Sequence, residues 1–230
     1  MSVIAIIPAR GGSKRIPQKN IKDFCGLPII SYSIKAALES GVFDEVMVST
    51  DSEDIAKIAK KFGAKVPFFR SEKASNDYAT TSEVIMEVLL EYEKRGQYFD
   101  EICCIYPTAP FVTAKKINDA ITVMRSAQAD TVFPIVAYSY PPQRGVIVDE
   151  NGMVVLLHPE FIDSRSQDLQ TIYHDCGQFY FFRRDSFMKN KRIKVGKMVP
   201  IITSELEMQD IDSQEDWKIA EQKYYNLQMG

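Results

Sequence analysis

The chain has 230 residues, of which 28 are Lys or Arg and 31 Asp or Glu, so its formal net charge is −3; 45% of residues are apolar. This is the composition of a globular domain with ample material for a buried core, and its mild acidity argues against a general nucleic-acid binder. The longest apolar runs, such as Val3 to Ile7, are too short to cross a bilayer.

Strand-like and helix-like stretches alternate along the chain. SVIAIIP reads as a buried strand closed by Pro8, and LPIISYSIKAALESG as a helix with Ile30, Ile34, Ala37 and Leu38 on one face and Gly41 as its stop. FDEVMVST is a second strand, DSEDIAKIAKKFG a helix that Asp51 is placed to cap (a ribose contact is its other reading), and KVPFF a short third strand. TTSEVIMEVLLEYEKRG is a helix with Val84, Val88 and Tyr92 in register, and EICCIYPTAPF a fourth strand ending at Pro107. TAKKINDAITVMRSAQ and TVFPIVAYS follow as helix and strand. The alternation predicts an α/β domain with a mostly parallel sheet covered on both faces. It breaks near Tyr140, where RGVIVDENGMVVLL reads as a hairpin turning at Asp149–Gly152. GQFYFF returns to strand, and SQEDWKIAEQKYY closes the chain as a helix with Trp217, Ala220 and Tyr224 on one face. One domain over residues 1–230 is expected, with about 138–172 inserted as an arm. Cys25, Cys103, Cys104 and Cys176 form no C-x-x-C, and His158 and His174 complete no zinc spacing, which fits a reduced, cytoplasmic setting. No basic segment leading into an apolar run marks a signal peptide.

Between Pro8 and Pro28 the connection is long for a compact domain, and it lies at a strand's carboxyl end, where open α/β sheets bind ligands. Its sequence, ARGGSKRIPQKN, carries Arg10, Lys14, Arg15 and Lys19 with no acid before Asp23. Gly11 and Gly12 allow close backbone approach, so a polyphosphate is the expected partner. Neither a Walker A nor a G-x-G-x-x-G pattern is present, which disfavours kinase and dinucleotide readings.

The stretch PARGGSKRIPQKNIKDFCGLPII resembles the opening of the CMP-sialic acid synthetase family, the CTP-dependent cytidylyltransferases of nonulosonic acids. The resemblance continues through VSTDSEDIAKIAKKFGAKVPFFR, YPTAPF and QDIDSQEDW and spans nearly the whole chain. SRSQDLQTIYHDCGQFYFF is similar to the pseudaminic acid branch; the sialic acid branch usually has Gln where Tyr106 stands and an N-G-A-I-Y-like stretch where D-C-G-Q-F-Y stands. The resemblance implies a three-layer Rossmann-like nucleotide-diphospho-sugar transferase fold and a homodimer formed through the arm. It further implies the reaction of CTP with pseudaminic acid to give CMP-pseudaminic acid and diphosphate, for glycosylation of cell-surface glycans or flagellin. N-acetylneuraminic or legionaminic acid is the alternative sugar; a catalytically silent nucleotide-binding protein of the same fold is the alternative of another class.

On that basis Ala9, Arg10, Gly11, Gly12, Ser13 and Lys14 are expected to bind the nucleotide, with Lys19 near the α-phosphate. Asn20 and the hydroxyls of Thr80, Thr81 and Ser82 are expected on the cytosine or ribose, although TTS at a helix start equally serves as an N-cap. Asp210 and Asp212, two apart in QDIDSQED, share a side in an extended segment and are the candidate Mg²⁺ ligands. Capping of the last helix by Asp212 or Ser213 is the competing reading. Arg165 is expected to pair with the sugar carboxylate, and Tyr106, Gln167, Asp175 and Gln178 with its hydroxyl and amide groups.

Overall fold

The structure is a computed structural model that describes residues 1–229. Strand β1 (Val3–Pro8) is an unbroken apolar run because both of its faces are covered. Val3, Ala5 and Ile7 enter one core and Ile4 and Ile6 the other. The connection after Pro8 contains a single turn of 3₁₀ helix (Lys19–Ile21) and a ribbon of β2 (Asp23–Phe24) and β3 (Leu27–Pro28). Cys25 and Gly26 turn that ribbon with φ of 50° and 93°, the two positive values of a tight hairpin turn.

Helix α1 (Ile30–Ser40) ends where Gly41 takes φ 68° and donates its N–H to the Leu38 carbonyl. Ile30, Ile34 and Ala37 are buried, but Leu38 lies outside that face and is exposed. Strand β4 (Glu45–Ser49) leads to α2 (Glu53–Lys61). The expected strand at KVPFF does not form: Lys65 makes one isolated bridge to Met47. Pro67 has no N–H to extend a ladder, and Phe69 is exposed. Helices α3 (Glu72–Ser75) and α4 (Thr81–Lys94), strand β5 (Glu101–Ile105), helix α5 (Ala114–Ser126) and strand β6 (Thr131–Ala137) follow.

The hairpin of β7 (Val146–Val148) and β8 (Val154–Leu156) forms a separate two-stranded sheet. The chain then returns through β9 (Tyr173–Asp175), β10 (Phe179–Arg183), α6 (Arg184–Asn190), β11 (Met198–Ile202) and α7 (Gln214–Met229). The main sheet runs β11-β6-β10-β5-β1-β4, with β9 also paired to β6. β4, β1 and β5 are parallel, as are β11 and β6, while β10 lies antiparallel between β5 and β6. Both β9 and β10 pair with β6, and the break between them at Cys176–Gln178 is a bend in which Gly177 takes φ 61°.

Helices α1, α2 and α5 cover one face of the sheet and α4 and α6 the other. A third apolar cluster joins Ile16 and Phe24 of the long connection to Ile211, three residues before α7, and to Trp217 near its start. Burying Ile16 completely contributes about 1.5–3 kcal/mol, which fastens the basic loop to the body of the domain.

Candidate active site

The cleft of about 270 Å³ beyond the carboxyl ends of β1 and β5 is lined by Arg10, Ser13, Lys14, Arg15, Lys19 and Asn20 on one side. Arg70, Thr81 and Tyr106 face them. The four loop cations divide into two pairs, each met by one aspartate. Arg10 Nη1 lies 2.7 Å and Lys14 Nζ 2.5 Å from the carboxylate of Asp77, on the loop joining α3 to α4. Arg15 Nη1 lies 2.9 Å and Lys19 Nζ 3.5 Å from the carboxylate of Asp212. Lys19 also donates to the Ile211 carbonyl. Hydrogen bonds from Lys14 and Arg10 hold the Asp77 carboxyl below its ordinary range.

The loop itself is fixed from behind. The buried Asn20 side chain donates from Nδ2 to the Arg10 carbonyl at 2.9 Å, and the Ala9 N–H donates to the Ser49 carbonyl at 2.9 Å. Asp51 does not cap α2. Its Oδ1 accepts the Gly11 N–H at 2.8 Å, and Ser52 caps the helix by accepting from the Ile55 N–H. The close approach that glycine permits at position 11 is therefore toward Ser52, whose Cβ would stand 3.2 Å from an added Cβ; at Gly12 an added Cβ would meet nothing within 4 Å.

Of the three hydroxyls at the start of α4, Thr80 forms a complete capping box: it accepts from the Glu83 N–H, while the Glu83 carboxylate accepts from the Thr80 N–H at 2.7 Å. Thr81 faces the cleft, its hydroxyl 3.3 Å from that of Tyr106. Ser82 lines a neighbouring depression with Thr81, Tyr106, Tyr180, Arg192 and Lys194. Tyr106 and Thr81 line both hollows, so the two adjoin at these side chains. Burial raises the Tyr106 and Tyr180 phenols above their ordinary range, keeping both neutral.

Asp175 does not line this second hollow but holds two residues that do, Tyr180 and Lys194. It accepts from the Tyr180 hydroxyl at 2.9 Å, the Lys194 ammonium at 2.9 Å and the Gly177 N–H at 2.8 Å, contacts set by the bend between β9 and β10. Gln178 points away into the protein: it is 2% exposed, donates to the Glu207 carbonyl at 2.7 Å and leaves Oε1 without a partner. Arg165 and Gln167 lie on the exposed arm and do not line either hollow of their own chain. His174 Nδ1 donates to the Asp175 carbonyl at 3.0 Å, and the ring packs on Tyr138.

Asp210 and Asp212 flank Ile211, which is 1% exposed and anchored in the third core cluster, so the two carboxylates turn to the same outer side. Neither caps α7. Ser213 does so, accepting from the Asp216 N–H, while the Asp216 carboxylate accepts from the N–H groups of Asp212 and Ser213. Partial desolvation and then the adjacent Asp212 charge push the Asp210 carboxyl upward. Among the described residues no group of three or more His, Cys, Asp or Glu could hold a metal. Neither carboxylate lines the cleft itself; Asp212 meets it through Arg15 and Lys19, which do. Two carboxylates on one side are nevertheless a donor set of the kind Mg²⁺ takes, the rest of its shell being water and phosphate oxygens.

Reading the sequence misses Arg70, Asp77, Tyr180 and Lys194. Arg70 is buried at the cleft wall, donating to the Ser49 carbonyl at 2.6 Å, and burial lowers its pKa. Its one local signal is a lone arginine closing the apolar run VPFF. Asp77 and Lys194 stand in polar segments with no distinguishing pattern.

Residues 4–225 match the cytidylyltransferase family. The chain is 40% identical over 225 residues to a pseudaminic acid cytidylyltransferase of Campylobacter jejuni, covering 97% of each chain. It is 32% identical to a CMP-N,N'-diacetyllegionaminic acid synthase of Legionella pneumophila, covering 96% of this chain and 95% of that one. Among solved structures, a CMP:2-keto-3-deoxy-manno-octonic acid synthetase complexed with CTP superposes with a TM-score of 0.71 over the whole of both chains at 18% identity, a likeness of fold.

Proposed function

The chain belongs to the cytidylyltransferase family, and from that membership we propose that it transfers CMP from CTP to pseudaminic acid. The observation that carries this reading is the cleft itself. Four cations on one loop, an asparagine and a threonine converge at the carboxyl end of β1, and a second hollow of polar and aromatic residues adjoins it at Thr81 and Tyr106. The first hollow suits a nucleoside triphosphate and the second a polyhydroxylated acid. The pseudaminic acid relative and the D-C-G-Q-F-Y stretch favour pseudaminic acid within the family.

In the proposed reaction the anomeric hydroxyl oxygen of the sugar acid attacks the α-phosphorus in line. The new O–P bond forms as the bond from the α-phosphorus to the bridging oxygen of the pyrophosphate breaks, the pyrophosphate leaves with that electron pair, and the hydroxyl proton passes to solvent. Such transfers are accelerated mainly by positioning and by stabilising charge. Arg10 and Lys14 neutralise the departing pyrophosphate, and Lys19 stands at the α-phosphate. Asn20 and Thr81 contact the nucleoside. Tyr106 and Asp175 meet the sugar's polar groups, with Asp175 oriented by Tyr180. Asp210 and Asp212 would hold Mg²⁺, which supplies charge neutralisation on the phosphate oxygens.

Pyrophosphate release from CTP tests the reading when measured with pseudaminic, legionaminic and N-acetylneuraminic acids. Release should be fastest, by kcat/KM, with pseudaminic acid. Preference for another acid transfers the assignment to that sugar. CTP binding without release on any of them identifies a silent nucleotide-binding protein.

The arm completes this proposal. Val146, Ile147 and Val148 on one strand and Met153 to Leu157 on and beside the other are exposed, Val148 and Val154 to 68% and 67%. An isolated two-stranded hairpin is marginal in water, and an isologous contact with a second copy would cover this surface. The same contact would carry Arg165 and Gln167 into the neighbour's sugar hollow. Sedimentation should therefore give a dimer, and the double variant Val154→Asp, Leu156→Asp a monomer with a raised KM for the sugar and an unchanged KM for CTP. A wild-type monomer that stays fully active on dilution excludes the shared pocket.

A further inference from the structure

Arg10 and Lys14 are not free to receive a phosphate: one carboxylate already sits between them. Asp77 places Oδ1 2.7 Å from Arg10 Nη1 and Oδ2 2.5 Å from Lys14 Nζ, and these two cations are its only ion-pair partners among the described residues. The loop that carries it is ordered by its own hydrogen bonds. Asn76 Oδ1 accepts the N–H groups of Tyr78 and Ala79 at 2.8 and 2.9 Å, and Asn76 Nδ2 donates to the Lys73 carbonyl at 2.7 Å. The capping box of Thr80 and Glu83 holds the next turn, and Ala79 and Thr81 line the same cleft. The Asp77 side chain remains 41% exposed, so it can leave the cations by rotating toward solvent without moving this loop.

We infer that Asp77 is an internal counter-anion, which occupies the phosphate-binding cations in the empty enzyme, yields them to the triphosphate and returns to them as pyrophosphate departs. A triphosphate carries several times the charge of one carboxylate and wins the exchange, while a weakly charged anion does not. During binding, the displaced carboxylate remains near the phosphates and opposes them. After transfer, the same repulsion and the recovered ion pairs favour release of pyrophosphate. The opposite role is a permanent strut, in which Asp77 stays paired and keeps the basic loop in place for the nucleotide. The two roles differ in sign: removing the charge tightens phosphate binding in the first and weakens it in the second.

The inference rests on the assignment of Arg10 and Lys14 to the triphosphate, and the experiment separates the two. Calorimetric titration with CTP and with inorganic pyrophosphate is made on the full chain as wild type, Asp77→Asn, Asp77→Ala, Arg10→Ala, Lys14→Ala and the pair Arg10→Ala with Asp77→Asn. Both Asp77 variants should bind both ligands about tenfold more tightly, the scale of two exposed ion pairs no longer competing. Pyrophosphate should inhibit turnover at correspondingly lower concentration, and the gain should shrink in the Arg10→Ala background. Unchanged or weaker binding in both Asp77 variants, with Arg10→Ala and Lys14→Ala weakened, overturns the counter-anion alone. Binding unaffected by Arg10→Ala and Lys14→Ala overturns the phosphate assignment and the counter-anion together.

Discussion

Arg10→Ala and Lys14→Ala should each lower turnover by about 10²- to 10³-fold, the usual loss when one preorganised group facing developing charge is removed. The reacting centre gains negative charge on the leaving pyrophosphate, and these two side chains are the loop cations gathered around Asp77. The fold should survive both changes. Lys14 is 77% exposed at its side chain, and ion pairs in such positions contribute little to stability. The loop is held instead by Ile16 in the third core cluster, by Asn20 on the Arg10 carbonyl and by Asp51 on the Gly11 N–H. Steady-state pyrophosphate release together with a thermal melt measures both halves of the expectation. Near-normal turnover in both variants would sink the assignment, and a lowered melting temperature would transfer the cations to a structural role.

Chelation should abolish activity and Mg²⁺ restore it, and Asp210→Asn or Asp212→Asn should cost about 10²-fold or more at limiting Mg²⁺. Helix α7 should be unharmed, since Ser213 and Asp216 cap it without either side chain. Acid should act through the same pair. The Asp210 carboxyl is raised by partial desolvation and by the Asp212 charge, so as pH falls it takes up a proton before an ordinary carboxylate does. Protons compete with metal for the pair, and added Mg²⁺ should move the acid limb of the rate profile to lower pH. Full activity of both variants at low Mg²⁺ would leave Asp212 as the partner of Arg15 and Lys19 alone, with the metal held elsewhere. In the double Asn variant, the loss of metal dependence and the loss of the Arg15 and Lys19 partner would separate by their response to Mg²⁺ concentration.

Much of the architecture is written locally. The apolar runs of β1, β4 and β5 mark buried strands, the spacing of Val84, Val88 and Tyr92 marks α4, and the β-branched runs around Asp149–Gly152 mark the hairpin. Each of these signals lies within one element, where the period of side chains repeats the geometry of the backbone. Capping was legible as a choice among neighbours at Thr80–Ser82 and at Asp212–Ser213, and misplaced by one residue at Asp51, where Ser52 caps instead; the local backbone decides which side chain reaches the free N–H groups.

By itself, then, the sequence determined an alternating α/β domain, a cation-rich loop after the first strand, and a pair of aspartates two apart near the last helix. Only the tertiary structure decided that β10 runs antiparallel between β5 and β6, that KVPFF forms no strand, and that Arg70 and Lys194 border the two hollows. It also decided the partners of the loop cations: Asp77 lies 67 residues from Arg10, and Ile211, whose carbonyl receives Lys19, lies 192 residues away. Periodicity and turn chemistry act over a few residues, so they register in the order of amino acids. Ion pairs across a cleft depend on where the sheet carries segments that are remote in the chain, and that distance is created by folding.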